Sequence, residues 1–184
     1  MQRRKFVVGV GSLAASGAAA MGTGAFTSVT ASRNVDVAVA NDSAAYLGLS
    51  STGGANEEYV TDDGSSGTLS IDLDAGQSVA GGGDGVNPNA LTEIDHLFQI
   101  TNQGTQSVDV SLSKSGDNTD LIGFYAVDSS SVSDPYSNGT QLGSDSVTLD
   151  AGESVVVSLQ IDTRGSGLGD SAEIISGVTI SATA

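Results

Sequence analysis

Beyond residue 31 the chain alternates. Val35, Val37 and Val39 are separated by Asp36 and Ala38; Leu69, Ile71 and Leu73 by Ser70 and Asp72; Val108, Val110 and Leu112 by Asp109 and Ser111. Val147 and Leu149, then Val155, Val157, Leu159 and Ile161, repeat the pattern, and Ile174, Val178 and Ile180 close it. A period of two puts apolar side chains on one face of an extended strand and polar ones on the other, as in antiparallel sheets with one face in water. Turn formers punctuate the strands: Asp63-Gly64, Asn102-Gln103-Gly104, Asn138-Gly139 and Ala151-Gly152. The most apolar run, Leu121-Ile122-Gly123-Phe124-Tyr125-Ala126-Val127, reads as the central strand, buried on both faces. Residues 89–97 leave room for a short helical turn, and the sole histidine, His96, reads as the start of a strand. The pattern predicts an all-β chain: an antiparallel β-sandwich, jelly-roll or immunoglobulin-like.

One stretch is echoed. Leu73-Asp74-Ala75-Gly76-Gln77-Ser78-Val79 returns as Leu149-Asp150-Ala151-Gly152-Glu153-Ser154-Val155. Each copy is followed by a strand that ends in a turn, first Phe98 through Asn102 to Gly104, then Leu159 through Thr163 to Gly165. Leu-x-x-Gly-x-Ser-Val reads as a strand, a tight turn that needs glycine, and the next strand. Two copies predict two hairpins in equivalent places of a sandwich. The first carries a longer insertion with a glycine-rich loop over 81–88, and a second loop spans 128–139.

The N-terminus reads as an address. Arg3-Arg4-Lys5-Phe6-Val7-Val8 fits a twin-arginine export signal, followed by a short Ala/Gly-rich apolar stretch and small residues at which to cut, after Ala25 or Ala31. That stretch is too weakly apolar for a retained membrane anchor, so no direct membrane insertion is expected after cleavage. The expected organisation is therefore a signal at 1–25, a joining segment at 26–40 and the sandwich at 41–184. The cut leaves 153 to 159 residues, enough for one domain with a core. With no cysteine, no disulfide supports that domain.

Charge sharpens the picture. All 22 acidic residues lie beyond the signal, against Arg33, Lys114 and Arg164, a formal charge of −19. Such a surface repels nucleic acid and anionic lipid. In dilute buffer it repels itself, whereas molar salt screens charges to about 3 Å. The composition resembles that of proteins from extremely halophilic archaea. An acidic disordered chain is the competing reading, but 38% hydrophobic residues in regular alternation oppose it.

Three features together carry a family resemblance: Gly22-Thr23-Gly24-Ala25-Phe26-Thr27 at the end of the signal, the repeated Leu-x-x-Gly-x-Ser turn, and the strand and turn from Phe98 to Gly104. With these the chain resembles the TasA/camelysin-like secreted β-sandwich proteins, in particular a haloarchaeal family of unassigned function. The resemblance implies a mature N-terminus near the Ala25-Phe26 junction that completes a neighbouring subunit's sheet. Phe26, Val29, Val35, Val37 and Val39 would then be the assembly residues, and the partner another copy or another surface protein. The alternative for residues 35–40 is the first strand of the chain's own domain.

Candidate chemistry is thin. His96 alone cannot make a zinc site of the His-Glu-x-x-His kind, and no serine sits in a Gly-x-Ser-x-Gly elbow, so an enzyme is not expected. Calcium takes 6 to 8 hard oxygens; Asp62, Asp63, Asp84, Asp117 and Asp120, on turn-like stretches, are the candidate ligands, and no other cofactor is indicated. Asn41-Asp42-Ser43 and Asn138-Gly139-Thr140 fit the N-glycosylation pattern. Tyr46, Tyr59, Phe124, Tyr125 and Tyr136 read as core fillers. The expected role is an exported structural protein of the cell surface or extracellular matrix, in its strongest form a filament subunit assembled by strand donation. The alternative is a secreted module that binds a ligand or ion through loops 81–88 and 128–139.

Overall fold

Strands form where apolar alternation meets a partner that can satisfy the backbone. The computed structural model describes residues 33, 35, 38–62, 67–73, 85–128, 132–169 and 172–184. The chain divides into two units, residues 1–38 and 39–184, and the elements described lie in the second. They are β1 (Leu47–Ser51), β2 (Val60–Thr61), β3 (Ser70–Ile71), β4 (Leu91–Asn102), β5 (Val108–Ser115), β6 (Ile122–Val127), β7 (Thr140–Leu142), β8 (Val147–Leu149), β9 (Ser154–Asp162) and β10 (Gly177–Thr183). A single-turn helix, α1 (Pro135–Asn138), and three 3-10 turns at Asp42–Ala44, Glu57–Tyr59 and Thr119–Leu121 complete the order.

The architecture is an all-β sandwich. One sheet runs β1-β4-β9-β6-β7, a second β10-β5-β8, and β2-β3 form a small ribbon. Strand pairs are antiparallel throughout. The chain crosses between the two larger sheets after β4, β5, β7, β8 and β9, which brings β4 and β9 side by side although some sixty residues separate them. Inner faces of both sheets supply one apolar cluster: Ile94, Phe98, Ile100, Phe124, Val155, Val157 and Leu159 from the larger, Val110, Leu112 and Leu149 from the smaller. Each such side chain, fully buried, contributes about 1.5–3 kcal/mol.

Several expectations need correction. Residues 89–97 hold no helical turn; Leu91 onward is the start of β4, because pairing with β9 satisfies its backbone. His96 lies in the middle of that strand rather than at its start. The central strand is β9, whose Val155, Val156, Val157, Ser158 and Leu159 are all buried, so both its faces are covered. β6 is also covered on both faces but stands second from the β7 edge. Tyr46 is 84% exposed and fills no core. The strand expected over 69–73 shrinks to Ser70–Ile71, and Ile174 precedes β10. The alternation at 35–40 makes no strand among its described residues: Val35 and Val39 are both exposed, Val39 completely. Phe26, Val29 and Val37 lie outside the described residues, as does nearly all of the first copy of the echoed motif.

The two strands named with the echo, β4 and β9, end alike. Asn102 at the end of β4 and Thr163 just past β9 are both buried polar residues, at 2% and 3% exposure. Asn102 Nδ2 donates to the carbonyls of Gln106 (2.7 Å) and Leu149 (2.9 Å), while its Oδ1 accepts the Gly104 N–H. Its backbone N–H donates to Glu153, and its carbonyl accepts from Gly152. Thr163 treats the turn before β4 likewise: its N–H donates to the Ala90 carbonyl, and its hydroxyl accepts the Ala90 N–H and lies 2.8 Å from the Asn87 carbonyl. Each of the two paired strands thus ends on the turn that introduces the other. The turn residues before them, Gly152 (φ +84°) and Asn89 (φ +61°), are both left-handed, the conformation that glycine and asparagine tolerate best.

Candidate functional site

Sheet edges are the exposed chemistry of a β-sandwich, because an edge strand leaves a row of N–H and C=O groups without strand partners. Four strands border the two larger sheets: β1 and β7, β10 and β8. β7 and β8 have three residues each, too short to template a neighbour. β1 is blunted. Both carboxylate oxygens of Asp62 accept the Ser51 N–H, at 2.9 and 2.8 Å. The 3-10 turn Asp42–Ala44 packs beside it.

β10 differs from all three. Its seven residues pair with β5 in unbroken register from Gly177↔Ser115 to Thr183↔Asp109, and among the described residues with no other strand. From Ile174 to Ala184 there is no charged side chain and no proline. Natural edges are usually blocked by a charge, a proline or a bulge, and β10 has none of them. Val178 and Ile180 pack against the core but stay half-buried, so apolar surface reaches the rim. The notable feature of the strand sequence, its lack of charge, is visible in the chain; its position at an edge is not.

On the outer face of the larger sheet a second cluster gathers. Between Ile94↔Leu159 and Phe98↔Val157 the register shifts, so Asp95, His96 and Leu97 face Ser158 alone. This bulge puts His96 at φ +52°, a left-handed conformation that costs a non-glycine residue about 1 kcal/mol or more. The His96 N–H donates to Ser158 Oγ (2.9 Å), its carbonyl accepts from Thr52 Oγ1 (2.7 Å), and its buried Nε2 has no partner among the described residues. Asp95 accepts the Tyr136 hydroxyl at 2.7 Å. Burial raises the Tyr136 phenol above its ordinary value, and the Asp95 hydrogen bond and charge raise it further. The phenol is thereby fixed as a donor that holds α1 on the sheet. α1 itself is set by Pro135 at its first turn and by Asp134, whose carboxylate accepts the Ser137 N–H (3.0 Å) and is held below the usual carboxylate range by it. Tyr125 meets the Tyr136 ring edge-on and lies over Gly123, where any side chain would collide with the ring. Asp95 and Tyr136 are 41 residues apart, and no spacing rule links them in advance.

The calcium candidates do not converge. Asp62 is committed to the Ser51 amide. Asp117 and Asp120 lie exposed about the turn after β5, and Lys114 stands by Asp120. Its ammonium donates to the carbonyls of Thr119 and Ile122; burial lowers its pKa, and the charge of Asp120 partly offsets that. Asp63 and Asp84 lie outside the described residues, as do 81–84 and 129–131 of the two loops. Among the described residues no three His, Cys, Asp or Glu side chains come together to hold a metal.

The two glycosylation asparagines are both exposed but differently held. Asn41 precedes the 3-10 turn in extended backbone, and its side chain makes no cap bond. Asn138 Nδ2 donates to the Asp134 carbonyl at 2.8 Å.

Residues 39–184 match the model of a family described as "Protein of unknown function (DUF1102)". No curated protein matches the chain.

Proposed function

The chain belongs to the DUF1102 family, and from that premise and the state of its sheet edges we propose that it is an exported structural protein of the cell surface or extracellular matrix. Subunits join by strand donation, residues 26–40 of one copy extending a sheet edge of the next. The observation that carries this reading is β10: a long, unblocked, uncharged edge with half-buried apolar side chains at its rim. Residues 26–40 supply a suited strand. They are rich in valine and threonine, and their two charges, Arg33 and Asp36, cancel. A neutral segment against a neutral edge is the junction at which two chains of charge −19 repel least. The added strand gains main-chain hydrogen bonds, and alternate side chains set the register. Exposed Val35 and Val39 are available for that pairing. The role is non-catalytic.

Mature protein starting at Phe26, kept in molar salt, is expected to form ordered fibres in negative-stain electron microscopy. Protein lacking residues 26–40 is expected to remain monomeric. Monomers from both preparations would sink strand donation.

A further inference from the structure

The two N-glycosylation patterns share their chemistry and differ in what the fold does with them. We infer that Asn41 carries an N-linked glycan in the exported protein and that Asn138 stays bare; the inference rests on the export half of the reading above. Transfer to an asparagine needs its amide nitrogen free and the Asn-x-Ser/Thr stretch open to a transferase groove. Asn41 meets the first, and its stretch lies in a surface turn. It is exposed, follows exposed Ala38, Val39 and Ala40, and has extended backbone at φ −70°, ψ 162° with no side-chain cap bond. Its anchorage comes from the two residues after it: the Asp42 N–H donates to the Gly67 carbonyl (2.9 Å), the Asp42 carboxylate accepts the Leu69 N–H (2.8 Å), and the Ser43 carbonyl accepts from Gln103 Nε2 (2.8 Å). The turn behind it is one 3-10 turn, closed by the Ala44 N–H on the Asn41 carbonyl at 3.0 Å. Opening a lone turn of this kind at the surface costs little.

Asn138 fails the same conditions. Its amide nitrogen is spent on the Asp134 carbonyl, and its backbone N–H donates to the same oxygen at 3.2 Å. The middle residue of its pattern, Gly139, donates to the Pro135 carbonyl at 2.8 Å. Gly139 is packed so closely that a side chain there would collide with that carbonyl. The third residue, Thr140, is already paired with Ala126 in β7. Presenting this stretch in extended form means unwinding α1 and detaching the start of β7. In the folded chain neither segment is open.

The transfer balances without a redox partner. The co-reactant is an activated glycan on a polyprenyl phosphate or diphosphate. Asn41 Nδ2 attacks the anomeric carbon, a C–N bond forms, and the C–O bond to the lipid phosphate breaks. The lipid phosphate leaves with the electron pair, and a base of the transferase takes one amide proton.

The test is peptide mass mapping of the full-length gene product, produced in its native host and recovered separately from medium or cell surface and from cell interior. Sugar mass on the Asn41 peptide and none on the Asn138 peptide is expected. That mass should vanish in Asn41→Gln and Ser43→Ala, survive in Ser43→Thr, and be unchanged in Asn138→Gln. Protein recovered outside the cell with a bare Asn41, or with sugar on Asn138, overturns the assignment and leaves export standing. Protein found only inside the cell with a bare Asn41 overturns both.

Discussion

At the scale of single residues, the sandwich depends on polar groups buried at strand ends. Asn102 is the clearest. Its amide has two donors and an acceptor, all three of them used, at 2% exposure. A buried polar group with partners costs little, whereas one stripped of them costs its full desolvation. Asn102→Ala leaves the Leu149 carbonyl and the Gly104 N–H without that partner, and also loosens the turn before β9. The expected loss is about 2–4 kcal/mol, read as a lower denaturant midpoint at unchanged slope. Asn102→Asp should be at least as damaging at neutral pH, because it swaps the donor for a negative oxygen facing two carbonyls. A loss within about 0.5 kcal/mol, the range of an ordinary surface substitution, would show that the two turns hold without this side chain. Thr163 plays the matching part with one hydroxyl, and so with fewer bonds.

At the scale of elements, the distinction that matters is between protected and unprotected edges. Thr179 and Ser181 are exposed on β10. Replacing both by glutamate charges the edge and adds to the repulsion between copies. The monomer's unfolding midpoint should barely move, since exposed substitutions are worth about 0.5 kcal/mol or less, while fibres fail to form in the electron-microscopy assay. Intact fibres from a folded double variant would place the joint at another edge. How far such elements could be read in advance differs from strand to strand. The alternation of Val108 to Leu112 and of Val155 to Ile161 gives β5 and β9 directly, because a half-buried strand has to alternate. Alternation alone hides the centrality of β9: Val155-Val156-Val157 is continuous because β4 and β6 flank it and α1 packs over it, which are long-range facts. The first half of β4 escapes for a related reason. Leu91-Thr92-Glu93-Ile94-Asp95 carries too few apolar residues to fix a period, and the partner β9 decides it. The residues 35–40 show the converse. They alternate well, but a strand needs a neighbour, and among their described residues none is paired. The uncharged stretch from Ile174 to Ala184 can be seen in the chain, yet it becomes an edge only because β5 takes β8 on its other side.

At the scale of the whole molecule, charge governs stability. The formal charge of −16 for the full chain falls hardest on the folded state, which holds its carboxylates closest together. Arg164 pairs with Asp162 at 2.7 Å on the surface, but 22 acidic residues face only six basic ones in the whole chain. Screening therefore has to do what counter-charges do elsewhere. Between about 0.1 M and about 1 M salt the screening length falls from about 10 Å to about 3 Å, so the melting temperature should climb steeply over that interval at neutral pH. Acid acts in two opposite ways. From pH 7 toward the isoelectric point near 4.1 the net charge shrinks, and at low salt the fold should gain stability. Below that the sign reverses. Arg164 hydrogen bonds and charge hold the Asp162 carboxyl down at about 2, and the Ser137 bonds hold Asp134 below its ordinary value. Their folded values lie under the unfolded one of about 3.9. What they contribute is present above that pH and is lost as pH falls through the folded values. Both carboxyls are fully exposed, so this loss is small beside the relief of repulsion. Melting curves at low salt should accordingly peak near pH 4 to 5, and in molar salt the same curves should be nearly flat from pH 4 to 7. A melting temperature that ignores salt at neutral pH would mean that the acidic surface is already neutralised by other means, and the proposed net-neutral junction at β10 would lose its energetic rationale.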